Sequence, residues 1–285
     1  MPHRLVKLLG PDAPWLMGVL NVTPDSFTDG GRYLEPSAAV DHARQLIADG
    51  ADLLDVGGES TAPGSRPITS EAELERIEPV VRALAQDTVL SIDTYHAVTA
   101  ARCLQLGARV INDVSALRAD PEMAAVVRDL RPVLVMMHAK DGPLPHATDR
   151  PVRYDDVVQD VSDWLAQRVD AALAVGIHQD QLVLDPGWGK FLSLEPAHSW
   201  EMLARFDELV ARLSPIPVMV GISRKGFFGL PMAERDPLSQ LTSLVAAEKG
   251  AALIRTHHAR MAAQFLDAAR RMRLPLPAAE RYRGR

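Results

Sequence analysis

Short apolar runs recur along the chain, and each of them ends abruptly in polar or glycine residues. The runs are nearly continuous in Val, Ile and Leu rather than alternating, which favours strands buried on both faces of a parallel sheet. The sequence therefore predicts eight such strands. They are Leu16–Val22, Asp52–Val56, Val89–Asp93, Arg109–Asp113, Pro132–His138, Leu182–Asp185, Pro217–Ser223 and Ala252–His257.

The segments between these runs have the periodicity of amphipathic helices. Ala38–Asp49 is one of them, and Ser70–Gln86 opens on a Ser-Glu-Ala-Glu sequence typical of a capping box. Tyr154–Val175 and Ser199–Leu213 are longer candidates. Eight strand–helix units with short connections predict an α/β fold, a single (β/α)8 TIM barrel. A doubly wound open sheet is the alternative, but eight regular units without a GxGxxG sequence after the first strand count against it.

Composition and charge narrow the class of protein. The chain has 285 residues, 47% hydrophobic and 24% charged, which is typical of a globular protein and not of a disordered or fibrous one. We expect one domain over residues 1–285, with a core at about 15–272 and a frayed tail. The net charge of −6 argues against a nucleic-acid partner. Since the sequence has a single cysteine, Cys103, and no apolar run of membrane-spanning or signal-peptide type, we expect a cytoplasmic protein with no membrane partner.

Almost every predicted strand ends in a side chain that is useful for chemistry. In a TIM barrel the carboxyl ends of the strands converge on one face, where active sites are found. A single Asp or Asn at a strand end is more often a turn or cap residue, but the whole set is hard to assign to capping. The set comprises Asn21, Asp55, Asp93, Asn112, Asp113, His138, Asp185, Ser223, Arg255 and His257.

The candidate residues divide into two chemical groups. Asp93, Asn112 and Asp185 can accept and donate hydrogen bonds along the edge of a flat, amide-like heterocycle. The other group is cationic and suits phosphate oxygens. The residues thus predict a pocket for a heterocycle and a phosphate, and they leave the identity of the heterocycle open. The cationic group consists of Lys225, Arg255, His257 and the backbone around Ser223–Gly226.

Two long loops follow the first two predicted strands. Asn21–Gly31 and Gly57–Pro67 are rich in glycine and proline, so they are candidates for mobile lids that close on a substrate, with a solvated loop as an equal alternative. The sequence contains no G-x-S-x-G elbow, P-loop or H-E-x-x-H motif, which removes support for hydrolases and kinases.

Eight sequence blocks closely resemble, in order, those of the dihydropteroate synthase family, a TIM-barrel family of the folate pathway. They lie within about residues 15–270 and read MGVLNVTPDSFTDGG, DVGGEST, SIDT, INDVSA, MMH, LDPGWG, GISRK and IRTHH. The resemblance implies an enzyme, a transferase that condenses 6-hydroxymethyl-7,8-dihydropterin pyrophosphate with p-aminobenzoate and releases pyrophosphate. Carboxylates would stabilise the pterin cation left by carbon–oxygen cleavage, and cations with Mg²⁺ would take up the charge of the pyrophosphate.

The same resemblance implies roles for individual residues. Asp93, Lys225 and Asn21 are the implied catalytic residues, and Asn21 is at the position associated with Mg²⁺, the implied cofactor. The implied pterin-binding residues are Asp93, Asn112, Asp185 and Lys225. Those of the pyrophosphate side are Asn21, Arg255, His257, Ser223 and Arg66, and those of the aminobenzoate side are Thr61, Pro63, Trp188, Lys190, Phe191 and Ser223.

Two loops depart from the family's pattern. The second loop has Ala62 where the family usually has an arginine, and Arg66 follows four residues later. In the short sixth loop, Lys190 is either the family's usual lysine or replaces the aromatic residue near aminobenzoate, in which case Phe191 could substitute. This short form resembles a sulfonamide-insensitive branch of the family, so we expect altered sulfonamide sensitivity, a form of antibiotic resistance.

Two rival functions share the predicted barrel, namely a non-catalytic pterin-binding paralogue and a pterin-dependent methyltransferase domain. Lys225, Arg255 and His257 argue for turnover, because a protein that only binds pterin needs no anion site. The family is commonly dimeric, and Leu238–Lys249 and Arg260–Met272 carry apolar faces that could contact a second copy. The alternative is that these faces cover the barrel. We therefore expect a homodimer that acts on small-molecule substrates.

Overall fold

The apolar runs form one parallel sheet that curves into a barrel. The chain is described by a computed structural model, which covers residues 3–10, 14–23, 28–29, 32–33, 36–60, 66–142 and 148–277. Within these ranges the barrel has eight strands, which confirms the predicted (β/α)8 TIM barrel. They are β1 (Trp15–Asn21), β2 (Leu53–Gly57), β3 (Val89–Asp93), β4 (Val110–Asp113), β5 (Val133–Met137), β6 (Leu182–Asp185), β7 (Met219–Val220) and β8 (Leu253–Thr256).

The sheet closes on itself. Paired strands follow one another in the order β6-β5-β4-β3-β2-β1-β8-β7. A parallel bridge between Leu184 and Val218 then joins the two ends of that order. Because an open doubly wound sheet keeps two free edges, this bridge rules out the alternative fold.

The register of the barrel brings the ends of successive strands to one level. Asn21 in β1 lies opposite Gly57 in β2, and Gly57 lies opposite Asp93 in β3. Asp93 in turn lies opposite Asn112 in β4. Strand pairing alone therefore places three predicted polar ends, Asn21, Asp93 and Asn112, at one level at the carboxyl-terminal end of the barrel.

Helices surround the barrel and follow its strands. Thr69 caps α3 (Ser70–Leu84) by accepting a hydrogen bond from the Ala72 N–H, and Asp156 caps α6 (Val157–Ala174) in the same way at Val158 and Gln159. The helices are α1 (Arg4–Leu9), α2 (Pro36–Ala48), α3 (Ser70–Leu84), α4 (Ala97–Leu106), α5 (Met123–Leu130), α6 (Val157–Ala174), α7 (Pro196–Ala204), α8 (Phe206–Leu213), α9 (Arg235–Glu248) and α10 (Ala259–Arg271).

Two helix predictions need correction. The long helix predicted over Ser199–Leu213 is two helices, α7 and α8, which meet at Arg205. The Arg205 guanidinium forms ion pairs with Asp156 and Glu208, so the break is also a point of attachment to α6. The capping box predicted at the start of α3 does not form, because Thr69 is the cap and the Glu73 carboxylate accepts a hydrogen bond from Thr94 instead.

The barrel interior has an apolar layer at its amino-terminal end. The six-residue helix α1 covers that end, where Leu5 is fully buried and His3 Nε2 lies 2.8 Å from the carbonyl oxygen of Leu182. A larger apolar layer lies outside the strands, between them and the helices. The interior layer consists of Leu5, Trp15, Met17, Leu53, Val110, Val133, Val135, Val183, Met219, Ala252 and Leu253.

Several predicted features fall partly outside the described residues. Of the first candidate lid, Asn21–Gly31, the structure describes residues 21–23 and the short strand Thr28–Asp29, which pairs antiparallel with Arg32–Tyr33 just after the lid; of the second, residues 61–65 lie outside. The predicted tail is described as far as Pro277, with Leu276 packed against the core, and residues 278–285 lie outside. Among the residues that are described, no helix has the length and hydropathy needed to cross a membrane.

Candidate active site

An arginine and two aspartates form a buried ion-pair network at the carboxyl-terminal end of the barrel. Arg255 in β8 donates from Nε to Asp55 Oδ2 at 2.6 Å and from Nη2 to Asp93 Oδ2 at 2.8 Å. The Asp55 side chain has no exposed surface, and that of Arg255 is only 19% exposed. Since β1 lies between β8 and β2 in the barrel, the guanidinium reaches across β1 and links β8 to the carboxylates of β2 and β3.

Asp55 also orients the amide of Asn112. Ser91 Oγ donates to Asp55 Oδ1 at 2.6 Å, and Asn112 Nδ2 donates to Asp55 Oδ2 at 3.0 Å. The amide oxygen of Asn112 is buried and has no hydrogen-bond partner within the described part of the chain. Because an unsatisfied buried acceptor costs about 1–3 kcal/mol, this oxygen is suited to an N–H donor of a bound ligand.

Asp185 and Lys225 complete the charged cluster. Asp185, at the end of β6, accepts a hydrogen bond from the Gly187 N–H at 2.8 Å. Gly187 has a φ of +70°, and a Cβ at that position would collide with the carbonyl of His138, so only glycine allows this turn. The Lys225 ammonium lies 4.8 Å from the centre of the Phe191 ring, a cation–π contact.

Burial moves the titration of this cluster towards neutral pH. Burial, and then the charge of Asp55, raises the pKa of Asp93 to about 7, and burial raises the pKa of Asp185 to about 6. Burial and the neighbouring Arg255 lower the pKa of Lys225 to about 8. Burial opposes the charge of Arg255, but Asp55 and Asp93 outweigh it and raise the pKa of the guanidinium. The cluster can therefore accept, donate or hold charge near neutral pH.

Next to Arg255, a serine and a histidine face each other. Ser223 Oγ accepts a hydrogen bond from the His257 N–H at 3.1 Å and lies 3.0 Å from His257 Nδ1. Burial, assisted by Arg255, lowers the pKa of His257 to about 3, so the imidazole is neutral. Beside the arginine and the lysine, this pair supplies uncharged polar groups for an anion.

Asp113 and His138, at the ends of β4 and β5, have structural roles. The Asp113 carboxylate accepts hydrogen bonds from the Ser115 and Leu117 N–H groups and so closes the turn after β4. The His138 ring packs edge-on against Trp164 at 5.0 Å, and burial lowers its pKa to about 3. Both residues therefore serve the fold and not the charged cluster.

The aminobenzoate-side residues predicted from the sequence are not all brought together. Phe191 lies at Lys225, whereas Trp188 is buried and stacks against Phe206 at 6.1 Å. Lys190 is exposed and forms an ion pair of 2.7 Å with Asp149. The geometry thus favours the alternative in which Phe191 takes the place near the pocket.

The remaining predicted residues lie along the two candidate lids. Asn21 is exposed at the end of β1, opposite Gly57, and Arg66 is exposed near the end of the second loop. Thr61 and Pro63 lie outside the described residues. Sequence reasoning missed the part that Asp55 plays, although an aspartate at the end of the apolar run DLLDV was a signal for it.

A closed (β/α)8 barrel with buried carboxylates, two cations and a neutral imidazole at the carboxyl ends of its strands defines an enzyme of the TIM-barrel class. The family model described as "Pterin binding enzyme" matches residues 17–257. The dihydropteroate synthase of Mycobacterium leprae (strain TN) is 41% identical over 262 residues, which cover 88% of this chain and 90% of that protein. The chain therefore belongs to the pterin binding enzymes, and among them to the dihydropteroate synthase family.

Solved structures of that family have the same fold. The dihydropteroate synthase of Xanthomonas albilineans with 4-aminobenzoic acid matches with a TM-score of 0.84 and 38% identity, over 92% of this chain and 94% of that one. A dihydropteroate synthase from the same organism in complex with 7,8-dihydropteroate matches with a TM-score of 0.81 and 36% identity, over the same shares of the two chains. These similarities confirm the resemblance inferred from the sequence blocks.

Proposed function

We propose that this protein is a dihydropteroate synthase, a transferase that joins 6-hydroxymethyl-7,8-dihydropterin pyrophosphate to p-aminobenzoate. The observation that carries the proposal is the buried Asp55–Arg255–Asp93 network, with the free amide oxygen of Asn112 beside it. The relatives support it as well, because a solved relative holds 4-aminobenzoic acid and another holds 7,8-dihydropteroate.

The pterin would bind to the carboxylate and amide groups. Its ring edge carries N–H donors, which the Asn112 amide oxygen and the Asp185 carboxylate can accept. Asp93 is poised to take either role, because burial raises its pKa to about 7. A planar ring that satisfies all of these groups replaces the water they would otherwise bind, which favours tight and oriented binding.

The reaction would break one bond and form another at the pterin methylene. Departure of pyrophosphate with the bonding electron pair leaves a cation that is delocalised into the pterin ring, and the amine lone pair of p-aminobenzoate then forms the new carbon–nitrogen bond. The amine proton is lost to pyrophosphate or water. Arg255 and Lys225 would stabilise the negative charge that develops on the leaving group, and Ser223 with neutral His257 would hold its oxygens.

The anion side is also where we place Mg²⁺. Asn21 offers one hard amide oxygen there, and the described residues contain no cluster of three or more His, Cys, Asp or Glu side chains that could hold a metal ion. This donor set fits Mg²⁺, which commonly keeps several waters and binds substrate phosphates with few protein ligands. When bound, the ion would neutralise charge on the departing pyrophosphate.

The experiment that tests this function is pyrophosphate release from the dihydropterin pyrophosphate with p-aminobenzoate and Mg²⁺. We expect release that depends on aminobenzoate, and a loss of at least about a hundredfold in Lys225→Ala, which removes a cation from the pocket. Lys249→Ala is the matched control, because Lys249 pairs with Asp207 on α8, outside the charged cluster. Tight pterin binding without release would contradict the proposal and favour the non-catalytic paralogue.

A homodimer is a separate proposal. Much of α9 and α10 covers the barrel, since Ser239, Ala246 and Leu266 are buried, as the alternative to a dimer face requires. Leu241 on α9 nevertheless keeps 51% of its surface exposed, and sedimentation equilibrium of the purified protein would show whether a second copy covers it. The cytoplasmic location remains a prediction.

A further inference from the structure

Two short helical turns meet at the side chain of Lys225. The first turn, Gly189–Phe191, belongs to the sixth βα loop, and the second turn, Gly226–Phe228, directly follows Lys225 in the seventh. A Cβ on Gly189 would lie 3.7 Å from Lys225 Cβ and 3.8 Å from its Cδ, and the Lys225 ammonium lies over the Phe191 ring. The first turn therefore follows the lysine side chain from its base to its charged end.

Ser199 on α7 attaches the first turn to a helix. Its Oγ accepts a hydrogen bond from the Gly189 N–H at 3.1 Å, and the serine is 1% exposed. The Gly189 carbonyl closes the turn by accepting hydrogen bonds from the Leu192 and Ser193 N–H groups. Trp188, which precedes the turn, supplies no side-chain cap. The hydroxyl of Ser199 thus takes the place of that cap.

The next residue of α7 contacts the second turn. The Trp200 ring packs edge-on against Phe227 and Phe228, with ring centres 5.3 and 5.8 Å apart. Phe227 also stacks on the buried Trp188 at 6.4 Å, so several aromatic contacts secure this turn. Consecutive residues of one helix therefore support both of the turns that meet at Lys225.

The two ends of the first turn have different supports. At the far end, the Phe191 carbonyl accepts a hydrogen bond from the Lys140 N–H at 2.9 Å, and this bond joins two backbone groups. At the near end, the bond of the Gly189 N–H is made to a side chain, that of Ser199. Since the near end is the part that contacts Cβ and Cδ of Lys225, the serine supports the segment that sets the direction of the lysine.

The direction of this side chain matters for chemistry, because the charge of a lysine is carried at the end of a flexible four-carbon stem. Displacement of a catalytic group by about 1 Å can cost as much as a hundredfold in rate. A hydrogen bond that confines the stem of Lys225 can therefore affect the reaction without any contact with the substrates.

We infer that Ser199 is a positioning residue for the reaction, whose hydroxyl fixes the Gly189–Phe191 turn and thereby holds the Lys225 ammonium in place for the departing pyrophosphate. This inference rests on the proposed function, in which Lys225 stabilises the charge of the leaving group. Ser199 acts only through the turn.

The first test is a double-mutant cycle, with kcat measured by product formation at saturating concentrations of both substrates. Ser199→Ala should lower kcat about fivefold, the factor that corresponds to one ordinary hydrogen bond. In the Lys225→Ala background the same substitution should leave kcat unchanged, because the group that the serine positions is gone. Ser162→Ala is the matched control, since Ser162 is also buried and makes one hydrogen bond, to the Val158 carbonyl on α6. It should leave kcat unchanged in both backgrounds.

A second measurement does not depend on activity. Acetylation of Lys225 by succinimidyl acetate, followed by mass spectrometry, should be about fivefold faster in Ser199→Ala than in the wild type, because the turn opens more often. Acetylation of Lys249, which pairs with Asp207 on α8, is the internal control and should not change.

The outcomes separate this inference from the function on which it rests. A wild-type protein that forms no dihydropteroate would defeat the proposed function, with the acetylation rates still testing the link between Ser199 and Lys225. A loss of kcat of the same size in both backgrounds would show that the serine is merely structural and would overturn the inference. A Lys225 acetylation rate in Ser199→Ala equal to that of the wild type would overturn it as well.

Discussion

The two ends of the barrel are equally buried and chemically opposite. At the amino-terminal end, α1 closes the interior with Leu5, which contacts an entirely apolar layer. At the carboxyl-terminal end, the interior holds Asp55 and Arg255, joined at 2.6 Å. Both Leu5 and Asp55 have no exposed surface, so burial by itself does not distinguish the stable end from the active one.

Along a strand, the apolar layer and the polar layer are only two residues apart. Successive inward side chains of a strand are two positions apart, so each inward apolar residue is followed by an inward polar one. The lower layer contains Leu53, Val110, Val183 and Leu253, and the upper layer contains Asp55, Asn112, Asp185 and Arg255. The lower layer therefore provides a rigid floor that fixes the spacing of the charges above it.

Substitution of Arg255 should have the largest combined effect on stability and activity, and the contacts it disrupts should be those of the polar upper layer only. Arg255→Met leaves Asp55 and Asp93 buried without their cation, which we expect to lower the free energy of unfolding by about 3 kcal/mol. The same change removes the charge that receives the pyrophosphate, so activity should fall by about a thousandfold. Urea unfolding and the pyrophosphate-release assay measure the two effects.

Leu5→Ala is the matched change at the opposite end. It should cost about 3 kcal/mol of unfolding free energy through the cavity it leaves, while kcat and KM remain as in the wild type. Comparable losses of activity in both variants, at a temperature where both are folded, would show that the two layers are not separable.

The pH dependence of the free energy of unfolding should also distinguish the polar upper layer from the apolar lower layer. Burial, with Asp55, raises the pKa of Asp93 to about 7, so the folded state holds this proton more tightly than the unfolded state does. The wild type therefore loses stability relative to Asp93→Asn as the pH rises from 3.8, the ordinary pKa of an aspartate, through about 7. At low pH the stabilities of the wild type and the variant converge. We expect a difference of about 4 kcal/mol at pH 8, from urea unfolding at several pH values.

The variant Leu53→Ala, in the apolar layer of β2, serves as the control for that measurement. Its loss of stability relative to the wild type should be the same at every pH, because no group titrates in the lower layer of that strand. A constant difference between Asp93→Asn and the wild type would show that Asp93 keeps an ordinary pKa in the folded protein.

The sequence predicts the architecture well because strand burial on both faces leaves continuous apolar runs. The sequence does not reveal α1, because six residues are too few to show a helical periodicity. It also does not reveal the break at Arg205, because that break depends on ion pairs to Asp156 and Glu208. The cap of α3 is misplaced for a similar reason, since Glu73 bonds to Thr94, a tertiary contact, instead of its own helix.

The site is predicted as a set of residues and not as a network. Strand ends identify Asp93, Asn112 and Asp185, because their positions follow from the apolar runs. The partnership of Asp55 with Arg255 joins residues 200 positions apart, and only closure of the barrel brings them together. Trp188 was assigned to the aminobenzoate side by resemblance, whereas its ring stacks between Phe206 and Phe227.

The smallest effect should be found in the sixth βα loop, at the carboxyl-terminal rim of the barrel. Lys190 and Phe191, which are adjacent in this loop, can be compared there. Lys190 is about half exposed and pairs with the more exposed Asp149, so Lys190→Gln should change the free energy of unfolding by less than about 0.5 kcal/mol. Phe191 contacts the Lys225 ammonium, so Phe191→Leu should raise the KM for p-aminobenzoate by about fivefold through loss of the ring face.

Inhibition by sulfamethoxazole tests the same two residues, because the drug mimics the arylamine substrate. The inhibition should change in Phe191→Leu and not in Lys190→Gln. We expect weaker inhibition of the wild type than of a dihydropteroate synthase with the longer sixth loop, and a further change in Phe191→Leu alone. If Lys190→Gln instead changed both the inhibition and the KM, the lysine would leave Asp149 to reach the arylamine. The sixth loop would then supply a mobile cation to the charged layer. The chemical difference between the two ends of the barrel would in that case be limited to the strands.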